Sequence, residues 1–453
     1  MLFKRIQSEG LAHNSYLIGD GREAAVIDPR IDCDVYVEEA HFEGFRIRHI
    51  FETHRHEDFV LGSVALGART GAEIWHADTQ WDYRYGTAVE DGQKWKIGRL
   101  TLEAISSPGH TPGSMSYLLY DPDGNPWIVF TGDALFAGDV GRVDFMGMDR
   151  APEMAGFLYD TIFGRLLPLG DGVIVCPAHG AGSVCASGIG ERMWTTIGLE
   201  RLYNPKLKVS DRNEFISLMV KKLDYPPYFR LMEKLNLEGA QFNDSLPIPL
   251  SAGEFARMAQ DAVVVDTRME AAFSASHVPG SLSIWSSGIP NFAGWFLPHD
   301  RPILLVNETN NPEQVFRYLI RLGYQNIAGF LAGGMLAWQM AGYECATIQT
   351  ITVQALCALF DEQGSRSTWL LDVRSETELE AAGRIIDVHH IHLTEIEDRM
   401  EEVPKDRPVY IFCGSGLRSM IAASFLKRKG WENLVVVLGG LAGWKSVSCP
   451  LKT

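Results

Sequence analysis

The sequence predicts an α/β protein of about three domains, the last two built on parallel sheets, and three observations carry that expectation. The chain has 453 residues, too many for one hydrophobic core. Its C-terminal half repeats itself. Asp266-Thr-Arg and Asp372-Val-Arg each follow an apolar run, and Gly333-Gly334…Trp338 answers Gly439-Gly440…Trp444, both at an offset of 106 residues. The N-terminal part has another texture, short strand-like runs separated by turns that carry histidine.

Composition narrows the class. With 46% hydrophobic and 22% charged residues, 44 Gly and 21 Pro, the chain excludes a disordered, collagenous or disulfide-framework protein. The 41 Lys+Arg against 57 Asp+Glu leave a net charge of −16, which argues against nucleic acid or an anionic membrane as partner. Cysteines 33, 176, 185, 345, 357, 413 and 449 are odd in number and scattered without C-x-x-C, so they read as free thiols in a reducing compartment. The opening residues MLFKRIQSEGLAHNSYLIGD lack the apolar centre of a signal peptide. No apolar run reaches the roughly 18 residues a bilayer span needs. The expectation is a soluble, cytoplasmic protein.

Along the chain, NSYLIG, AAVID and IRHIFET read as strands, followed by helical and strand segments to about residue 185. From Asn204 to Asn243 the pattern is helical and punctuated by proline, either an extension of the first domain or a connector. Boundaries near 245 and 347 follow, giving domains 1–245, 246–346 and 347–453. In each C-terminal copy a buried-strand pattern (PILLV near 302–306, PVYIF near 408–412) leads to a helical pattern ending at Gly323 or Gly430, then to another strand. That order is a βαβ unit and implies a parallel sheet covered by helices. A period near 100 residues is too long for a solenoid and reads as a duplicated domain.

Four turns of the N-terminal part carry metal-type side chains directly after a strand-like run, where loops on a rigid scaffold bear function. They are Thr53-His54-Arg55-His56-Glu57-Asp58-Phe59, Ser107-Pro-Gly-His110, Thr131-Gly-Asp133 and Cys176-Pro-Ala-His179. This arrangement resembles the metallo-β-lactamase superfamily over residues 1–200, which implies an αββα sandwich with a metal at one edge of its two sheets. Phe59 departs from that family's H-x-H-x-D-H pattern and removes one ligand of a second metal. Asp58, His179 and a bridging Asp133 leave a weak second ion open, with a single metal as the main expectation. Within the superfamily, Asp133-Ala-Leu-Phe-Ala-Gly-Asp-Val-Gly-Arg142 resembles the persulfide dioxygenases. That resemblance implies one Fe(II) per chain on His54, His110 and Asp133, O2 as co-substrate, and His56, Asp58, His179 and Arg142 near the metal. The residue types agree: two imidazoles and a carboxylate with open positions suit non-heme Fe(II), whereas a structural zinc site is closed by four ligands.

In the second copy, Cys413-Gly414-Ser415-Gly416-Leu417-Arg418-Ser419 follows the strand VYIF and opens a helix. Inward amides and a helix N-terminus favour a thiolate or persulfide, and Arg418 offers a planar fork to an oxyanion such as sulfite. The stretch resembles the rhodanese active loop, and Asp372-Val-Arg374 and Gly439-Gly440…Trp444 match other rhodanese landmarks. Six residues from Cys413 to Arg418 suit sulfur transfer; related phosphatases carry a longer loop. Gly383-Arg-Ile departs from the family's G-H-I. The first copy has Asn307 where Cys413 would stand, in a loop one residue shorter with neither cysteine nor arginine. It resembles an inactive rhodanese domain, suited to spacing, dimerisation or docking. Cys176 reads as a core thiol.

Together these resemblances imply a persulfide-detoxifying fusion: oxidation of a thiol persulfide of glutathione, coenzyme A or bacillithiol type to sulfite and thiol. A Cys413 persulfide would then pass sulfur to sulfite and yield thiosulfate. They also imply a homo-oligomer. Two other classes stand beside this one, a glyoxalase II-like thiolester hydrolase with a fused sulfurtransferase, and a non-catalytic sulfur carrier.

Overall fold

The structure, a computed structural model, describes residues 1–186, 188–223, 225–240, 245–363, 368–385, 387–447 and 451–452. Asn243, the expected end of the helical segment, lies outside them. The chain divides into two units, Met1–Asp244 with Ile320–Gly323, and Ser245–Leu319 with Tyr324–Thr453. No helix among the described residues is long and apolar enough to cross a membrane.

The first unit contains two six-stranded sheets. One runs in chain order through Leu2–Ser8, His13–Asp20, Glu23–Ile27, Arg46–Phe51, Glu73–His76 and Thr87–Ala88. The other is ordered Thr195–Thr196, Ile174–Pro177, Pro126–Gly132, Met115–Tyr120, Leu100–Ser106 and Lys94–Ile97. Strand side chains alternate between faces, and that alternation sets the layers. Tyr16, Ile18 and Phe51 pack inward with Leu119, Ile128 and Phe130 of the facing sheet. Leu17 and Val26 turn outward to Tyr36 and Ala40 of the helix Asp34–Phe42. On the other side Val129 turns outward to Ala155 and Leu158 of the helix Ala151–Thr161. The result is the αββα sandwich.

The Pro-punctuated segment belongs to this unit. Phe215 of the helix Arg212–Met219 joins the Val129–Leu158 core, and the helix Phe229–Glu238 bonds to the first histidine turn. Both helices therefore pack within the first unit.

The second unit holds both copies of the repeat on two five-stranded sheets of matching order. The first is Pro249–Leu250, Ile327–Leu331, Ile303–Val306, Val263–Asp266, Leu282–Ser283; the second is Gln349–Thr352, Leu434–Leu438, Val409–Phe412, Trp369–Asp372, His389–His390. Neighbouring strands in both sheets are parallel. The helix Leu417–Arg428 is buried from Ser419 to Leu426 because the first copy covers its outer face. There the Ser283 N–H donates to Ser424 Oγ at 3.0 Å, and Phe296 meets Phe425 at 5.3 Å. Such all-round burial is what an apolar helix without a polar face requires.

Cys33, Cys176, Cys185, Cys345 and Cys413 are free. Cys357 is disulfide-bonded, which corrects the expectation that every cysteine is a free thiol.

Candidate functional site

The four histidine- and aspartate-bearing turns leave the ends of strands Arg46–Phe51, Leu100–Ser106, Pro126–Gly132 and Ile174–Pro177, and meet at one edge of the sandwich. His110 Nε2 lies 3.4 Å and His54 Nε2 3.8 Å from Asp133 Oδ2, all essentially buried. The other ring nitrogen of each histidine is committed. Arg142 contributes a carbonyl oxygen 3.0 Å from His110 Nδ1, and a carbonyl only accepts, so Nδ1 carries the proton. The Thr53 hydroxyl spends its proton on Asp28 Oδ2 at 2.8 Å, so His54 Nδ1, 3.0 Å from Thr53 Oγ1, is also the donor. Both Nε2 lone pairs are left bare, buried and without a hydrogen-bond partner. Burial also pushes the His54 imidazolium well below the usual range, which keeps the ring neutral.

These atoms fit a metal. Ligand bonds of about 2.0–2.2 Å put two donors of one ion no more than about 4.4 Å apart, and the 3.4 and 3.8 Å spacings satisfy that limit. Burial would raise the Asp133 carboxyl, but His179, His110 and His54 outweigh it and hold it well below the carboxylate range.

His179 lies one step further out. Its Nδ1 is 2.7 Å from Asp133 Oδ1, its Nε2 is 2.9 Å from Asp58 Oδ2, and those two carboxylates outweigh burial to raise its pKa well above normal. His56, Asp58 and His179 form a second group of close donor atoms. His56 is turned aside, however, with Nε2 3.2 Å from Asp28 Oδ1. The fully buried Phe59 ring fills the space between, 4.6 Å from His56 and 3.9 Å from His13. The Arg142 guanidinium points away, to Asp144 at 2.7 and 2.8 Å. Arg142 therefore reaches His110 through its backbone.

Sequence reasoning missed Asp28, Glu57, Cys185, His13 and Asn236. Glu57 Oε2, buried and without a hydrogen-bond partner, stands 3.9 Å from His110 Nε2. Its place beside His54 in one motif was the only available signal. Cys185 joins His110 and Asp133 in a third donor group, although burial pushes its thiol far up. Phe145, edge-on to His110 at 5.0 Å, lines a cavity of about 630 Å³ whose charged lining is Arg55, Lys222 and Arg230 with Asp144 and Glu233. Lys222 and Arg230 have no carboxylate partner among the described residues.

In the second unit Cys413 is buried at the end of Val409–Phe412, and the Gly416 N–H donates to its Sγ at 3.1 Å. Gly414 and Ser415 form the floor beside the Gly439–Gly440 turn: Gly439 N–H donates to Ser415 O at 2.8 Å and Leu441 N–H to Cys413 O at 3.0 Å. Leu417 and Arg418 begin the helix, and Ser419 is buried in its first turn. Arg418 is paired with Glu378. Arg374, wholly buried, forks onto Asp372 at 3.0 and 2.7 Å, and the first copy repeats that pair as Arg268–Asp266. At the corresponding loop of the first copy Asn307 accepts from the Thr267 hydroxyl at 2.8 Å. Cys176 is a core thiol of the sandwich, raised by burial.

Two family models match the chain, the metallo-beta-lactamase superfamily over residues 9–179 and the rhodanese-like domain over residues 251–341 and 352–447. Persulfide dioxygenase ETHE1, mitochondrial, of Bos taurus is 32% identical over 221 residues, covering 47% of this chain and 77% of that protein. Hydroxyacylglutathione hydrolase GloC of Haemophilus influenzae is 27% identical over 214 residues, covering 43% of this chain and 91% of that protein. A crystal structure of a metallo-beta-lactamase from Staphylococcus aureus aligns with a TM-score of 0.66 at 28% identity, over 73% of this chain and 98% of that one.

Proposed function

This chain belongs to the metallo-β-lactamase superfamily, among relatives of the persulfide dioxygenase ETHE1, and carries two rhodanese-like domains behind that fold; from that premise we propose that it oxidises a low-molecular-weight thiol persulfide and transfers sulfane sulfur to the sulfite produced. The overall oxidation, RSSH + O2 + H2O to RSH, sulfite and two protons, oxidises the outer sulfur and reduces O2. The observation that carries the reading is the pair of bare Nε2 atoms of His54 and His110 facing Asp133. Fe(II) held by His54, His110 and Asp133 would supply the redox chemistry that brings a thiolate-type sulfur and O2 to reaction.

The surrounding residues have their own work. Thr53 and the Arg142 carbonyl lock the two imidazoles in the ligating tautomer. His179, between Asp58 and Asp133, keeps the Asp133 carboxylate oriented. Phe59 occupies the place of a second ion's ligand. Lys222 and Arg230 at the cavity beside Phe145 suit the anionic groups that glutathione, coenzyme A and bacillithiol all carry. Cys413 serves as the sulfur carrier and Arg418 as its anion-facing cation. The domains we propose are 1–245, 246–346 and 347–453.

The likeness to GloC favours a second reading, thiolester hydrolysis on a two-metal site. Phe59 speaks against it. Iron content, O2 uptake on a panel of persulfides and product analysis test the proposal together. His110→Ala is expected to lose O2 uptake; Cys413→Ser is expected to keep it while releasing sulfite in place of thiosulfate. Two zincs per chain, thiolester turnover and no O2 uptake would establish the hydrolase instead.

A further inference from the structure

The cation that faces the sulfur-transfer loop is already engaged. Arg418 Nη1 donates to Glu378 Oε2 and Nη2 to Glu378 Oε1, each at 2.6 Å. Glu378 is itself held: its Oε2 accepts from the Ser375 N–H at 2.9 Å and hydroxyl at 3.1 Å, in the capping box of the helix Glu376–Ala382. Arg418 keeps this carboxyl down at about 2, so it carries its charge at neutral pH. The pair overhangs the loop, since a Cβ on Gly414 would stand 3.3 Å from Arg418 Nη2 and 4.0 Å from Glu378 Oε1. A loop otherwise built for anions thus has a fixed negative charge at its mouth.

The first copy of the repeat points the same way. At the offset of 106, Glu378 corresponds to Ala272, and that copy lacks the cysteine and the arginine as well. Cysteine, arginine and glutamate are present together in one copy and absent together from the other.

We infer that Glu378 is a specificity-determining positioning residue of the sulfur-transfer loop. Its two-point grip holds the Arg418 fork in one plane, and its charge opposes a dianionic acceptor, so sulfite binds by sharing Arg418. The inference rests on the proposed role of Cys413 as sulfur carrier. In the step concerned, the sulfite sulfur attacks the outer sulfur of the Cys413 persulfide. A new S–S bond forms, the S–S bond to Cys413 breaks, and its electron pair leaves on Cys413 as thiolate. No outside oxidant or reductant is needed.

The test is steady-state sulfur transfer by the full-length chain with two acceptors, sulfite and a neutral thiol such as dithiothreitol. Glu378→Gln removes the charge and loosens the fork. It is expected to lower KM for sulfite about 3- to 10-fold, the range for losing a unit charge a few ångströms away in a partly solvated site, while kcat also falls and KM for dithiothreitol stays put. Glu378→Asp keeps the charge and is expected to lower kcat with KM for sulfite near that of the unaltered chain. An unchanged or raised KM for sulfite in Glu378→Gln, or equal shifts with both acceptors, overturns the inference. If Glu378→Gln fails to fold, a lowered KM for sulfite in Glu378→Asp overturns it. Failure of the underlying reading looks different: Cys413→Ser would still transfer sulfur, and mass spectrometry would find no added sulfur on Cys413.

Discussion

The side-chain amide of Asn236 donates to the carbonyl oxygen of His56 at 2.8 Å, joining the helix Phe229–Glu238 to the first histidine-bearing turn. The same buried side chain donates to the carbonyls of Phe59 at 2.9 Å and Arg55 at 3.3 Å and accepts from the Leu61 N–H at 2.8 Å. One residue thus closes backbone bonds on both sides of His56, whose φ of +28° is unfavourable for a non-glycine residue.

Asn236→Leu leaves those backbone groups buried without partners, each costing about 1–3 kcal/mol. The expected outcome is a lower melting temperature together with a loss of iron per chain, read by thermal denaturation and metal analysis on the same preparation. Full iron content in Asn236→Leu would mean that the turn holds its shape without the clamp.

Phe59→His restores an imidazole where the phenyl ring now lies 4.6 Å from His56 and 6.3 Å from His179. Metal content is expected to rise from about one towards about two per chain, because His, Asp and His together suit a second divalent ion. An unchanged metal content would show that Phe59 is not what closes that position.

Gly440→Ala and Gly334→Ala are equivalent substitutions in the two copies with unequal expected results. Both positions have positive φ, +45° and +58°, which costs a residue with a Cβ about 1–2 kcal/mol. At Gly440 the new Cβ would also stand 2.4 Å from Cys413 O and 2.5 Å from Gly414 C, so the active loop must shift. At Gly334 the new Cβ would meet only Asn307 O, at an ordinary contact distance of 3.6 Å. Gly440→Ala is expected to abolish sulfur transfer and keep O2 uptake. Gly334→Ala is expected to lower stability modestly and keep both.

Acid separates the Glu378–Arg418 pair by titration. The folded-state pKa of Glu378 is lowered to about 2 by the Arg418 fork, below its ordinary 4.5. A depressed carboxylate contributes stability that is fully present above the unfolded pKa and is lost as pH falls through the folded one. The stability advantage of the parent chain over Glu378→Gln is therefore expected at pH 7 and to shrink between about pH 5 and pH 2. Denaturant unfolding of both proteins across that range measures it; a constant difference would contradict the assignment.

Much of the site was legible because its residue types sit at strand ends in short motifs. His54, His110 and Asp133 come together in space, and the sequence itself shows Asn307 where the second copy has Cys413. Asp28 and Asn236 were not legible. They reach the first turn from 25 and 180 residues away, and nothing in an isolated Asp or Asn distinguishes a buried clamp from a surface residue. The engagement of Arg418 was hidden for the same reason, since Glu378 lies 40 residues upstream among other glutamates.

By itself the sequence determined the α/β class, the duplicated pair and the chemistry-bearing motifs, because periodicity, repeats and turn residues are local properties of a chain. Tertiary structure alone decided which nitrogen of each histidine is bare, where the helices Arg212–Met219 and Phe229–Glu238 pack, and what holds Arg418. Those outcomes depend on a few hydrogen bonds that the fold sets, such as Thr53 to Asp28, His110 to Arg142 and Arg418 to Glu378. A proton on Nδ1 of His54 or His110 is set by one oxygen that only the folded chain brings within 3.0 Å.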